Sequence, residues 1–171
     1  DLVVLNSIIQ YFPDPVYLTR VLDQAKRAMN EAGTIFVGDV PDLRLLPALH
    51  AGILCRELDP STTSSYASQL LRQAIDDGRE IRAAPAFFHD HCRTRGAWAD
   101  VQIKRGHHHN EMTCFRYDVI MYPGRSTMIQ PEWLCAWSTV GSIEALVQTV
   151  SAQRPATFAV LSVPNNRVYV D

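Results

Sequence analysis

The chain opens on an unbroken apolar run, Leu2-Val-Val-Leu5, closed by Asn6-Ser7. A β-branched run bounded by turn residues predicts a strand over residues 1–6, buried on both faces of a parallel sheet. Asp14-Pro15 then marks a helix start, an N-cap carboxylate followed by proline at the first helical position. Leu18, Val21, Leu22, Ala25, Ala28, Met29 and Ala32 recur at steps of three and four, an amphipathic helix that Gly33 is expected to cap. Thr34 to Val40 reads as a second buried strand, with Asp39 near its end. Strand, helix and strand in this order predict a βαβ unit of an α/β fold.

Between Pro41 and Glu57 the residues Leu45, Leu46, Leu49, Ile53 and Leu54 form a further helical stripe. Residues 60–66 are a polar linker or helix entrance, Ala67 to Asp76 is helical, and Pro85-Ala-Phe-Phe88 starts a short helix. The period then changes. Ala99 to Arg105 alternates apolar and polar, as a half-exposed strand does. Gly106 and His107-His-His109 are expected to turn, and Thr113 to Tyr122 to return as a strand with Asn110 and Glu111 at its start. The pair predicts an antiparallel hairpin at the far edge of the sheet. Residues 134–138, 142–152 and 157–163 read as strand, helix and strand, so the chain divides into a main part, 1–122, and a βαβ extension, 123–171. A buried strand as the first element predicts that further strands precede it, and that residues 1–6 offer an apolar edge for self-association.

Composition narrows the field. The 171 residues are 47% hydrophobic, enough for a sizeable core, and carry a net charge of -2. That balance argues against nucleic acid as a partner, because phosphate binding needs a basic surplus. No apolar run approaches the roughly 20 residues of a membrane span. Four cysteines at wide spacing, with no signal peptide, predict free thiols and a cytoplasmic protein. His89, His91 and Cys92 form an HxHC, and three histidines follow at 107–109, but consecutive imidazoles diverge and no second ligand pair completes a tetrahedron; no metal is expected.

Four segments carry a resemblance. Val4-Leu-Asn-Ser-Ile-Ile-Gln-Tyr-Phe-Pro13 is similar to the "LNSVVQYFP" signature of S-adenosylmethionine-dependent methyltransferase domains embedded in nonribosomal peptide synthetases. Ile35-Phe-Val-Gly-Asp-Val40 with Leu43-Arg-Leu-Leu46 resembles that family's "IFVGDVRNLRLL". Lys104-Arg-Gly106 with Asn110 to Val119 resembles "KRG…NELTRFRYDV", and Val163-Pro-Asn-Asn-Arg167 resembles "VPNAR". The resemblance implies the carboxy-terminal portion of a seven-stranded, Rossmann-like class I methyltransferase sheet. The glycine-rich turn that wraps the cofactor's methionyl part in this family has no counterpart, since no GxG occurs, and it is expected upstream of Asp1. Cys114 stands where the family usually has Arg.

In open α/β sheets ligands sit at the carboxyl ends of the strands, which singles out Asn6, Ser7 and Gln10 as candidate cofactor contacts and Asp39 with Arg105 as candidate substrate contacts. Asn6 would hold the cofactor's carboxylate end or the substrate amine, and Tyr11 would face the sulfonium by a cation–π contact. Asn110 and Glu111 would face the acceptor amine, Glu111 as base or amine anchor. The structural alternatives are that Asn6 and Ser7 cap a turn, Tyr11 packs in the core, Asp39 caps the next helix, and Asn110 and Glu111 are a turn residue and a rim charge. Arg116, Tyr117 and Asp118 are expected to build a hairpin network. The activity implied is methyl transfer from S-adenosylmethionine to an aminoacyl or peptidyl group carried by phosphopantetheine on a carrier domain beside other synthetase domains, with the α-amino nitrogen as the commonest acceptor. The alternative is a non-catalytic, methyltransferase-like structural or epimerase-type module.

Overall fold

The computed structural model describes residues 1–124 and 130–168, and the chain divides into two compact units, residues 1–125 and 126–171. The first begins with β1 (Leu2–Asn6), α1 (Pro15–Ala28) and β2 (Thr34–Pro41). Three helices follow, α2 (Leu46–Glu57), α3 (Ser64–Asp76) and α4 (Pro85–Arg93). The unit closes with β3 (Ala97–Ile103), the single turn α5 (Glu111–Cys114) and β4 (Arg116–Pro123). The strands form one mixed sheet in the order β1-β2-β4-β3. β1 and β2 are parallel, and β4 runs antiparallel to β2 and β3. All four strands therefore meet one edge of the sheet, β1, β2 and β3 with their carboxyl ends and β4 with its beginning.

Local signals place the helices. Asp14 caps α1 by accepting from the Tyr17 N–H at 2.7 Å, and Thr63 caps α3 through Tyr66 N–H. Leu18 and Leu22 of α1 and Phe88 and Cys92 of α4 pack on Ile35 and Val37 of β2 and Val119 and Met121 of β4. Full burial of each large apolar side chain in this layer contributes about 1.5–3 kcal/mol before entropic costs. Arg95 ties the two helices together, gripping Asp23 of α1 with Nε at 2.5 Å and Nη2 at 2.9 Å.

Several expectations are corrected. β1 stands at the edge of the described sheet, as expected, but it is not buried on both faces: Val3 and Leu5 join the core, whereas Leu2 and Val4 are 63% and 54% exposed, because α1 and α4 cover only one face. Gly33 does not cap α1, which ends at Ala28 with Met29 in extended backbone. The Asp1 carboxylate takes the Asn30 N–H, and Gly33 bonds back to the Asn30 carbonyl in a separate turn. Glycine is needed there for closeness, since a Cβ would stand 2.6 Å from Met29 Cβ. The β3–β4 hairpin is present, but residues 104–115 connect it and include α5, so Asn110 and Glu111 belong to a helical turn and not to a strand. Local capping overrides the strand pattern at Thr113, whose side chain completes a capping box with Asn110.

The second unit holds β5 (Trp133–Ala136), α6 (Trp137–Val140), α7 (Ile143–Gln153) and β6 (Phe158–Leu161). β5 and β6 pair in parallel, the βαβ arrangement expected from the pattern. Gly141 closes α6 in the left-handed conformation, φ 70°, and Ser142 caps α7. No helix among the described residues is long and apolar enough to cross a membrane.

Candidate active site

The site is built where the four strands meet that edge. β2 bulges at Gly38-Asp39: Val37 pairs with Val119 and Val40 with Tyr117, so two residues oppose Asp118 alone. Such a bulge frees a backbone amide and re-aims a side chain. Asp39 takes the left-handed conformation, φ 59°, and its freed N–H donates to Asp118 Oδ1 at 3.0 Å. Ser7, just past the end of β1, is also left-handed at φ 53°. Left-handed backbone at non-glycine residues costs of order 1–3 kcal/mol each and persists where surrounding bonds over-determine it. Here they do. Ser7 N–H donates to Gly38 O at 3.2 Å, and the Ser7 hydroxyl donates to Asp39 Oδ2.

Lys104, the first residue after β3, completes the cluster, with Nζ 2.5 Å from Asp39 Oδ1 and 2.7 Å from Asp118 Oδ1. Partial burial pushes the Asp39 carboxyl up, but the Lys104 and Ser7 hydrogen bonds and the charges of Lys104 and Arg116 outweigh it and leave the group below its ordinary range. Burial likewise opposes the Lys104 charge, and its two carboxylate partners reverse that and raise it. At neutral pH Asp39 and Lys104 thus form an ionised, hydrogen-bonded pair, with Asp118 as the second partner of the ammonium.

Of the residues singled out in the sequence, Asn6, Ser7, Gln10 and Asp39 converge. Asn6 lies over Gly38, where a Cβ would come within 2.0 Å of its Oδ1, so glycine at 38 is what lets that amide approach the bulge. Gln10 is only 5% exposed; its side-chain N–H donates to Ser7 O at 3.1 Å, and Oε1 has no partner. Ser7 and Gln10 thus hold the turn and Asp39, leaving Asn6 the exposed candidate of the three, its amide nitrogen held only by a long 3.5 Å hydrogen bond to the Ser7 hydroxyl. Tyr11 does not enter the core and is 73% exposed.

The remaining candidates stand apart. Asn110 accepts from Thr113 N–H as the cap of α5, which is the turn role. Glu111 accepts from Arg116 Nη2 at 2.7 Å and is half-exposed, a rim charge whose link to Asp39 runs through the Arg116 guanidinium. Arg105 is exposed. Its neighbour Lys104 lies outside the candidates that the sequence singles out, although extending the alternation of Trp98, Asp100 and Gln102 by one step puts it on their face of the sheet, opposite to Arg105. Tyr117 instead points into the core and donates to Ala83 O at 2.8 Å, and burial, joined by the charge of Asp42, raises its hydroxyl pKa.

A small apolar hollow of about 40 Å³ lies at the other end of the sheet, lined by Leu22, Ile35, Cys92, Ala97 and Met121 among others. None of the strand-end polar residues reaches it, and its Cys92 thiol is pushed up to about 11 by burial, against the charge of Arg95, so it offers no nucleophile. The strand-end cluster is therefore the candidate site.

No family model matches the chain. Chondramide synthase cmdD of Chondromyces crocatus is 32% identical over the whole chain, which spans 5% of that relative's length. The probable non-canonical nonribosomal peptide synthetase CymA of Salinispora arenicola is 36% identical over 72% of the chain, which spans 2% of it. A beauvericin nonribosomal cyclodepsipeptide synthetase of Beauveria bassiana is 34% identical over 52% of the chain. A solved structure described as a candidate O-methyltransferase of Nostoc punctiforme overlays 71% of this chain and 31% of its own at 15% identity, with a TM-score of 0.41, too loose to bear on the fold.

Proposed function

We propose, from the premise that this chain belongs to the methyltransferase-domain segments of nonribosomal peptide synthetases, that it supplies the acceptor side of a methyl-transfer site. The observation that carries the reading is the ionised Asp39 carboxylate, aimed by a strained bulge at the carboxyl ends of the strands beside the amide of Asn6. S-adenosylmethionine, the cofactor of this reading, provides a methyl group already bound to a good leaving group, so the protein's task is orientation and charge. Asn6 is the side chain fitted to hold the polar end of the cofactor; Ser7 and Gln10 support the turn that carries it.

The acceptor is an aminoacyl or peptidyl amine held on a carrier domain by phosphopantetheine. Asp39 accepts a hydrogen bond from that amine and orients its lone pair toward the methyl carbon. When bound, the cofactor would supply the methyl group and leave as a neutral thioether, while the Asp39 and Asp118 carboxylates would stabilise the positive charge gained by the acceptor nitrogen until its proton passes to solvent. Glu111 can take that proton only after parting from Arg116, which makes it a rim acceptor and not the principal anchor. Tyr11, exposed beside the turn, would offer its ring to the sulfonium in this reading.

The test is methyl transfer in the intact synthetase module from methyl-labelled S-adenosylmethionine to an aminoacyl group loaded on its carrier domain. Label on the amine nitrogen, lost in Asp39→Asn, is the expected result. Wild-type module that loads its amino acid but never labels it would overturn the reading.

A further inference from the structure

Lys104 opens the Lys104-Arg-Gly106 motif with no role assigned to it there, yet three features set it apart from an ordinary surface lysine. Its side chain is 20% exposed and faces two carboxylates from two different strands at 2.5 and 2.7 Å. Asp118 uses the same Oδ1 twice, accepting from Lys104 Nζ and from the Asp39 amide that the bulge leaves unpaired. Asp39 itself is left-handed, a backbone state that needs outside support at any residue but glycine. Remove the ammonium, and two carboxylates that share one small space repel each other, with the amide bond that fixes the bulge lying between them.

We propose that Lys104 is the positioning residue of this site: by bridging Asp39 and Asp118 it locks the β2 bulge to the β3–β4 hairpin and holds the Asp39 carboxylate in place. The inference rests on the reading of Asp39 as the acceptor anchor for its consequence in methyl transfer, but the lock itself is a property of this chain. With Lys104 in place the trio carries one net negative charge, suited to an amine acceptor and hostile to a carboxylate one. Arginine at 104 can keep both contacts, because its fork offers several donors. Methionine fills the space without the charge.

The experiment follows the Asp39 side-chain carboxyl by carbon NMR titration, and its amide by hydrogen exchange, in the 171-residue chain with Lys104, Lys104→Arg and Lys104→Met. Lys104 and Lys104→Arg should both titrate Asp39 below the ordinary aspartate value of about 3.9. Lys104→Met should return it to or above that value and speed exchange at the Asp39 amide by about tenfold or more. Unchanged titration and exchange in Lys104→Met would overturn the proposal. Should that variant fail to fold, Lys104→Gln, which keeps a donor and drops the charge, carries the same comparison. In the intact module, Lys104→Met should lower kcat by about tenfold or more with little change in the KM for S-adenosylmethionine, and Lys104→Arg should restore it. A lock seen by NMR in a module that never methylates would leave the positioning intact and sink the methyltransferase reading; a lysine whose loss leaves the Asp39 titration and exchange unmoved sinks the positioning alone.

Discussion

Ser7 and Asp39, thirty-two residues apart, face each other across adjacent parallel strands in the same left-handed backbone state, and the Ser7 hydroxyl donates to the Asp39 carboxylate. Two strained residues joined by one bond behave as a unit: neither can relax without releasing the other. The geometry around them makes several outcomes calculable.

Gly38 sits between them, and its Cβ would meet Asn6 Oδ1 at 2.0 Å and Phe36 Cε1 at 2.8 Å. Gly38→Ala should therefore displace Asn6 and destabilise the fold by about 1–3 kcal/mol in urea unfolding. Gly52→Ala is the control, since a methyl there meets nothing within 4 Å in the middle of α2, and it should stabilise by about 0.5–1 kcal/mol.

Asn110 tests whether a motif residue acts as a cap or as a catalyst. Asn110→Ala should cost about 1 kcal/mol through the lost bond to Thr113 N–H, and Asn110→Ser should recover most of it. Methyl transfer abolished in a stable Asn110→Ser module would contradict the capping role.

Tyr11 separates binding from stability in the opposite sense. With 73% of its surface exposed and no packing role, Tyr11→Ala should change the unfolding free energy by no more than about 0.5 kcal/mol. Weaker cofactor binding in that variant, measured in the intact module, is what the cation–π assignment expects.

His91 makes stability depend on pH. Burial lowers its pKa, the Arg95 charge lowers it further, and Asp23 at 3.6 Å opposes them only in part. A histidine whose folded pKa lies below its unfolded value stabilises the fold when neutral, so its contribution is present above about pH 6.5 and fades as the pH falls through the folded value. Denaturant midpoints should drop more steeply between about pH 7 and pH 5 in the native chain than in His91→Gln.

The cysteines should react unequally. Cys55 is exposed, whereas Cys92 is 1% exposed with its thiol pushed up to about 11 by burial. Iodoacetamide at neutral pH, read by peptide mass spectrometry, should label Cys55 and leave Cys92 unmodified until the protein is unfolded. Equal labelling in the folded chain would mean that α4 opens from the sheet.

Periodicity carried the elements a long way. The Asp14-Pro15 start of α1, the eight-residue β2, the short helix at Pro85 and the parallel closing pair are all written in spacing and caps that act over a few residues. The pattern failed where two local signals compete. At Asn110 to Cys114 the residues alternate well enough for a strand, but a capping box closes within four residues and forms a helical turn first. At Gly33 a glycine after a helical stripe looked like a cap, although its reason was the nearby Met29 Cβ.

What the sequence by itself determined is the order of strands and helices and the placing of Asn6, Ser7 and Asp39 at strand ends, because those follow from apolar period and turn chemistry. What only the tertiary structure decided is which charges face Asp39. Lys104 and Asp118 lie 65 and 79 residues from Asp39 along the chain. They meet it because β4 inserts antiparallel between β2 and β3 and a one-residue bulge turns Asp39 toward them. Pairing register is a property of two strands at once. No single stretch of residues contains it, and the partner of a strand-end carboxylate is therefore visible only in the assembled sheet.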